Sequence, residues 1–222
     1  MGVAENLTAL KSEIPGHVTL VAVSKTKPVE VIIEAYRAGQ RDFGENRAQE
    51  LIWKQEKLPG DIRWHMVGHL QSNKVKYLAP FVHIIHGVDS LKLLKVINRE
   101  AIRNDRVIDV LFQIHIAREE TKFGFSEEEL LELLHSEALG QISHVRIRGM
   151  MGMATFTEDL DQVRKEFRFL KELFDRMKSS VFAGREEFDR LSMGMSGDYR
   201  VALEEGSNMV RIGSLIFGSR NQ

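Results

Sequence analysis

A lysine stands where a buried strand ends. Residues 18–23, VTLVAV, are all apolar or β-branched and predict a strand buried on both faces, and Ser24, Lys25 and Thr26 follow it directly. Burial disfavours the charged form of a lysine and lowers its pKa, which makes the amine nucleophilic towards carbonyl groups. Lys25 is therefore the first candidate for chemistry. An ordinary surface lysine at the mouth of a strand, with Lys27 as its solvated neighbour, fits the same pattern.

The last loop of the chain suggests a site for an anion. Arg211 lies in the last predicted strand, and Gly213 and Ser214 follow it at the start of a helical turn, so backbone amides and a hydroxyl lie at a helix amino terminus. The segment LSMGMSG, residues 191–197, adds hydroxyls and glycines at the end of the preceding strand. Barrels of alternating strands and helices commonly bind phosphate after their last two strands, so we expect an anion site here rather than a merely tight turn.

A lysine for a carbonyl and a loop for a phosphate together suggest a phosphorylated aldehyde held as a Schiff base. Pyridoxal 5'-phosphate (PLP) fits, because its aldehyde condenses with a lysine amine and its phosphate needs such a loop. A sugar-phosphate aldolase fits the same two parts, and the residues alone leave both alternatives open.

The spacing of apolar residues predicts the elements that position these side chains. After a lead-in helix within residues 1–16, eight strands alternate with helical segments. The predicted strands are 18–23, 41–43, 61–67, 81–85, 107–116, 145–151, 188–193 and 209–212. Strict alternation argues for a parallel sheet, and eight units in 222 residues fit a closed (β/α)8 TIM barrel, which typically takes about 250. We expect one α/β domain spanning residues 1–222, with an open doubly wound sheet as the alternative.

A barrel would locate the site before any motif is named, because active sites on this fold lie at the carboxyl ends of the strands. The residues expected at that rim include Lys25, Asn46, His65 or Met66, Ser192 and the segment from Arg211 to Ser214.

Composition excludes several classes of function. A net charge of −1 and a pI near 6.7 provide no field for nucleic acid or an anionic membrane. Without cysteine there is no disulfide and no thiolate metal site. We find no signal peptide and no run of eighteen apolar residues, so we expect a soluble, cytoplasmic protein. His65 and His69 have the spacing of a helical metal pair, but the segment reads as a strand entering a turn, and we predict no metal.

Four separated motifs resemble the YggS/PROSC family of pyridoxal phosphate homeostasis proteins. They are VAVSKTKP (21–28), FGEN (43–46), WHMVGHLQSNK (64–74), and LSMGMS (191–196) with MVRIGSLIFG (209–218). The resemblance covers essentially the whole chain. It implies a single barrel similar to the amino-terminal domain of bacterial alanine racemase and a protein that buffers or delivers PLP with little or no catalysis.

The resemblance also implies roles for individual residues. Lys25 matches the Schiff-base lysine and Arg211 the arginine that faces the pyridine nitrogen. The remaining matches are Ser192, Gly213 and Ser214 at phosphate-binding positions and Asn46 in the pocket wall. A permanently charged guanidinium beside the pyridine nitrogen disfavours its protonation, which makes the ring a weaker electron sink.

The alternative within this fold is a PLP-dependent amino-acid racemase. Racemases of the similar fold use a tyrosine from an additional domain as second base, and we expect none here because the chain ends at Gln222, straight after the barrel. Tyr36 and Tyr77 fall in predicted helices, which leaves Tyr199. We therefore expect a binding module, a monomer, whose partners are PLP, amino acids and, transiently, enzymes that require PLP.

Overall fold

Eight parallel strands close into a barrel. The structure is a computed structural model, which describes residues 2–118 and 123–218. The strands follow one another around the barrel in chain order, and the last pairs with the first to close it. They are β1 Thr19–Val23, β2 Asp42–Glu45, β3 Arg63–Met66, β4 Ile84–Val88, β5 Ile108–Ile114, β6 Val145–Gly152, β7 Arg190–Ser192 and β8 Met209–Ile212. The predicted (β/α)8 barrel is confirmed, and the open doubly wound sheet is wrong.

Helical segments alternate with the strands around the outside. They are α1 Val3–Glu13, α2 Val29–Arg37, α3 Ala48–Lys57, α4 Val75–Leu78, α5 Leu91–Arg103, α6 Glu127–His135, α7 Leu160–Ser179, α8 Tyr199–Glu204 and α9 Ser214–Phe217. The predicted capping box of α6 is present: the Ser126 hydroxyl accepts from the Glu129 amide, and the Glu129 carboxylate accepts from the Ser126 amide. The predicted lead-in helix is α1, which packs against α2 and α9.

The boundaries of β4 differ from the prediction. The sequence pattern predicts a strand over residues 81–85, whereas β4 begins at Ile84 and ends at Val88. The amides of Phe81 and Val82 donate to the carbonyl of Leu78, at 3.0 and 2.8 Å, so these two apolar residues close the preceding helix and do not pair with a neighbouring strand.

Strand residues alternate between two apolar cores. One core lies between the strands and the helices. It includes Leu20, Ala22, Phe43, Trp64, Met66, Val110 and Ile212. The smaller core fills the barrel interior and consists of Val21, Val67, Ile84, Leu111, Met151 and Met209. The first strand is therefore buried on both faces, as predicted, because its even-numbered residues face the helices and Val21 faces inward.

Ion pairs close the amino-terminal end of the barrel. Arg63 donates to both carboxylate oxygens of Asp42, at 2.7 and 2.5 Å. Arg146 and Arg148 both donate to Asp109, at 2.6 and 2.8 Å. Asp42, Arg63, Asp109 and Arg148 line a cavity of about 210 Å³. Since they occupy this end, the barrel's other face is left for the predicted site.

The predicted domain span, 1–222, includes Met1 and residues 119–122 and 219–222, which lie outside the described residues, so that span stays a prediction. Within the described parts of the chain, no helix has both the length and the apolar surface needed to cross a membrane.

Candidate functional site

The predicted site residues lie on four neighbouring strands. Strands β7, β8, β1 and β2 are consecutive around the barrel, and parallel strands have their carboxyl ends on one face. The residues are Ser192 at the end of β7, Arg211 within β8, Gly213 and Ser214 directly after it, Lys25 two residues after β1, and Asn46 directly after β2. The structure therefore gathers all six on one continuous arc.

Strand β3 contributes differently from the prediction. We expect His65 or Met66 at the rim, but His65 is buried and hydrogen-bonded inside the barrel, while Met66 packs in the core beneath the helices.

The turn that carries Lys25 is anchored on both sides. The Ser24 amide donates to the carbonyl of Gly44 at 3.0 Å. On the other side, the Thr26 amide donates to the carboxylate of Glu50 at 2.6 Å. Thr26 has a φ of 65°, a conformation that β-branched residues rarely adopt and that persists only where surrounding contacts enforce it. The half-buried Lys25 therefore projects from a turn whose backbone is held in place.

A buried ion pair provides this anchorage. Lys54 on α3 is only 1% exposed, and its ammonium donates to the Ser24 carbonyl, to Glu45 and to Glu50, each at 2.7 Å. The Ser24 hydroxyl donates to the same oxygen of Glu45 at 2.6 Å. Burial raises the pKa of Glu45, and the ammonium of Lys54 opposes that rise. All three donors of Lys54 are thus used next to the Lys25 turn.

Asn46 lies under the loop that follows β3. A Cβ atom built on Gly68 would lie 2.4 Å from the carbonyl oxygen of Asn46, so the two backbones touch and only glycine fits there. This contact holds the half-buried Asn46 at the end of β2.

Arg211 is held from behind by neutral oxygens. It is 4% exposed, and one terminal nitrogen donates to the carbonyl and the hydroxyl of Ser192, at 2.8 and 2.6 Å. The other donates to the carbonyl of Gly152 at 3.0 Å. Burial lowers the pKa of Arg211 to about 10, so the guanidinium remains charged at neutral pH. Its three acceptors orient the group without neutralising it.

The loops after β7 and β8 meet beside the Lys25 turn. The Gly213 amide donates to the Ser196 hydroxyl at 3.4 Å. A Cβ atom on Gly213 would lie 2.9 Å from the Val23 carbonyl oxygen, so the β8 loop packs directly on the end of β1. Ser214 is exposed next to this contact. Helix α9 has only four residues, so individual amides and hydroxyls, rather than a helix dipole, would bind an anion.

Two histidines connect Ser192 to the opposite end of the barrel. His86 approaches the Ser192 hydroxyl at 3.1 Å, His65 approaches His86 at 2.9 Å, and Asp42 approaches His65 at 3.1 Å. Burial lowers the pKa of His86 well below its usual value, and the neighbouring His65 and Arg211 add to this. Sequence reasoning expects His65 or Met66 at the rim and assigns His86 only as a polar strand position. The signal it missed is that His65 and His86 both fall on inward-facing positions.

Asp42 and His65, together with the nearby His83, have the composition of a metal site. Ligand atoms of Asp42, His65 and His83 lie within 4.8 Å of one another. Both oxygens of Asp42 bond to Arg63, however, and both ring nitrogens of His65 are hydrogen-bonded. A metal ion would have to displace these bonds beside a guanidinium. We interpret the cluster as an ion-paired network, and the absence of a metal in this protein stays a prediction.

The arc combines three kinds of group. An amine on a fixed turn can condense with an aldehyde, a guanidinium can donate to a ring nitrogen, and amides with hydroxyls can bind phosphate oxygens. The site therefore suits a small phosphorylated aldehyde, and its residues fit PLP.

The closed eight-stranded barrel that carries these groups belongs to the alanine racemase class of barrel. The family model for the alanine racemase N-terminal domain matches residues 2–221. An alanine racemase of Clostridium difficile superposes with a TM-score of 0.77 at 17% identity, covering 100% of this chain and 60% of that one, which shows the fold alone.

Other relatives are far more similar in sequence. The pyridoxal phosphate homeostasis protein of Aquifex aeolicus is 43% identical over 202 residues, 90% of this chain and 86% of that protein. That of Pseudomonas aeruginosa is 35% identical over 230 residues, 99% and 96% of the two chains. PipY of Synechococcus elongatus, solved with PLP bound, has a TM-score of 0.88 and 36% identity, covering 97% and 100%. The chain belongs to the family of pyridoxal phosphate homeostasis proteins.

Replacing the buried lysine tests the anchorage. We expect Lys54→Met to lower the free energy of unfolding by about 3–5 kcal/mol, because Glu45 would stay buried without its cationic partner. The double variant Lys54→Met/Glu45→Gln should recover at least half of the loss. Urea unfolding followed by circular dichroism measures both. The control is Lys57→Met, an exposed position on the same helix, and an equal effect of the two single variants would contradict the prediction.

Proposed function

We propose that this chain binds PLP, holds it as a Schiff base on Lys25, and buffers or delivers it with little or no catalysis. The observation that carries the proposal is the packing of the Gly213 loop against the strand that ends at the anchored Lys25 turn. This brings an amine for an aldehyde next to donors for a phosphate. Relatives named for pyridoxal phosphate homeostasis, and PipY solved with PLP, support the same ligand.

The residues divide the binding among themselves. The Lys25 amine forms the covalent bond, Asn46 lines the pocket, and the Gly213 amide with Ser214 binds the phosphate. Sequence reasoning also assigned Ser192 to the phosphate, which stays a prediction. Its hydroxyl is buried between Arg211 and His86, whereas the half-buried hydroxyl of Ser196 lies at the Gly213 amide. We therefore favour Ser196 for the phosphate and Ser192 for holding Arg211.

Arg211 limits the chemistry. PLP supplies an electron sink when its pyridine nitrogen is protonated. The buried guanidinium keeps its charge, since its pKa stays near 10, and a fixed positive charge disfavours a second proton beside it. Arg211 thus donates a hydrogen bond to the ring while leaving the cofactor weakly activated, which suits a carrier.

The racemase alternative needs a second base near the lysine, and the tyrosines are engaged elsewhere. The Tyr199 hydroxyl donates to Glu13 at 2.7 Å, and burial raises the pKa of Tyr199 further from neutrality. Tyr36 donates to Asp61 at 2.7 Å, and Tyr77 lies half-exposed on α4. These contacts favour the binding module over the racemase.

The cellular location, the oligomeric state and the partners expected from the sequence remain proposals. We propose a cytoplasmic monomer that contacts PLP-requiring enzymes transiently and admits amino acids to the bound cofactor. Light scattering at micromolar concentration tests the monomer, and a dimer would contradict it.

The first experiment is the visible spectrum of the purified protein with PLP. We expect a yellow protein, and borohydride reduction followed by peptide mapping should place a pyridoxyl group on Lys25, because that amine forms the bond. Lys25→Ala should abolish the label, and Lys27→Ala, two residues away, should keep it. A protein that stays colourless with added PLP would refute the proposal and favour the sugar-phosphate aldolase.

A single methyl group tests the phosphate loop. We expect Gly213→Ala to weaken PLP binding about tenfold, equivalent to ~1.4 kcal/mol, because the new Cβ must move away from the Val23 carbonyl. Absorbance titration with PLP measures the affinity. Gly16→Ala is the control, since nothing lies within 4 Å of a Cβ there. Unchanged binding by Gly213→Ala would show that this loop does not contact the phosphate.

A further inference from the structure

A chain of hydrogen bonds crosses the barrel interior from Arg211 to Asp42. Arg211 donates to the Ser192 hydroxyl at 2.6 Å. From there the contacts run from Ser192 to His86, 3.1 Å, from His86 to His65, 2.9 Å, and from His65 to Asp42, 3.1 Å. His65, His86 and Ser192 are at most 1% exposed. Each contact uses a different ring nitrogen, so the chain is continuous.

The carboxylate end fixes the position of every proton. Although burial alone raises it, hydrogen bonds from Arg63 and His65 hold the pKa of Asp42 well below its usual range, so Asp42 accepts. His65 must therefore donate from Nε2. A neutral imidazole carries one N–H group, so Nδ1 of His65 accepts from Nε2 of His86, and Nδ1 of His86 accepts from the Ser192 hydroxyl.

The guanidinium end favours the same direction, because a His86 donor would leave the Ser192 hydroxyl proton without an acceptor among the contacts described above. Arg211 is a donor only, so it occupies a lone pair of the Ser192 oxygen and leaves the hydroxyl proton for His86. The opposite direction would place Nε2 of His65, as an acceptor, against an ionised carboxylate. The carboxylate end thus selects one arrangement, with each imidazole in its Nε2–H tautomer, and the guanidinium end agrees with it.

Burial, with neighbouring cations and imidazoles, favours the neutral form of both rings. Burial lowers the pKa of His65, and Arg63 and Arg190 add to this while Asp42 opposes it. For His86, burial acts together with His65, Arg211 and His83. His83 is itself kept neutral, since burial lowers its pKa to about 4, with Asp109 and Asp42 opposing. A proton added to His86 would also direct a second donor at the Ser192 oxygen.

We propose that His65 and His86 are positioning residues. Together they form a chain of neutral imidazoles, hydrogen-bonded in one direction, that orients the Ser192 hydroxyl and, through it, the guanidinium of Arg211. This rests on the proposed function, in which Arg211 donates to the pyridine nitrogen. A guanidinium can do so only while its own orientation is fixed. The chain supplies that orientation without bringing a second positive or negative charge to the site.

The tautomers can be measured directly in the cofactor-free protein. Histidines labelled with nitrogen-15 and resolved by long-range proton–nitrogen correlation report the protonation of each ring nitrogen. We expect His65 and His86 to show protonated Nε2 and unprotonated Nδ1, unchanged from pH 8 to pH 6. A doubly protonated ring, or the Nδ1–H tautomer in either residue, would overturn the proposal.

Two variants of His86 separate positioning from packing. His86→Leu fills the space but provides no acceptor, whereas His86→Asn keeps an oxygen near the position of Nδ1. We expect PLP affinity to fall about tenfold in His86→Leu and about threefold or less in His86→Asn, because only the latter can accept from Ser192. The exposed His17→Leu is the control. Equal affinity in the two His86 variants would contradict a positioning role.

The two measurements distinguish the failure of each idea. A wild-type protein that binds no PLP would overturn the proposed function and the orienting role with it. Mixed tautomers in a protein that does bind PLP would overturn the proposed orienting role of His65 and His86 but not the proposed function.

Discussion

Burying a cation is costly unless oxygens surround it, and two buried cations decide where the site residues lie. Lys54 is satisfied only if the Ser24 carbonyl and two carboxylates converge on it, which fixes the turn that carries Lys25. Arg211 is satisfied by oxygens of Ser192 and Gly152, which ties β8 to β6 and β7. The requirement to satisfy these charges therefore sets the position of the amine and the guanidinium.

The barrel interior divides between apolar and polar filling. Six apolar side chains form its inner core, while the hydrogen-bonded chain crosses the same space. Barrel interiors are more often filled by layers of branched apolar side chains. Here imidazoles occupy inward positions on β3 and β4, and each is paired at both ring nitrogens. Because a fully satisfied polar network keeps one arrangement, it can hold a site more rigidly than apolar filler does.

Patterns along the sequence were sufficient for the number and order of the strands, though not for the bounds of β4, because strand patterns depend on local periodicity. They also placed the six candidate site residues at one end of the barrel, where the structure has them. Lys54 could not be recognised, since it lies on an amphipathic helix where a lysine usually faces solvent, and two of its three partners, Ser24 and Glu45, belong to the ends of other strands. The sequence also does not distinguish Ser192 from Ser196 as a phosphate ligand, and the assignment of Ser192 stays a prediction. Both are serines after apolar residues, and only the position of the Arg211 side chain separates them.

The fixed positions of Lys25 and Arg211 also give a reason why such a site would bind a reactive aldehyde without turning substrates over. Rigidity at the lysine and the guanidinium favours one bound geometry, and binding energy spent equally on ground and transition states does not accelerate a reaction. Catalysis would need a group that interacts more strongly as charge develops on the cofactor. In the proposed function Arg211 would do the opposite, because its fixed charge would oppose protonation of the pyridine ring that absorbs the developing charge. The neutral imidazoles behind it, with pKa values lowered by burial, provide no proton to compensate.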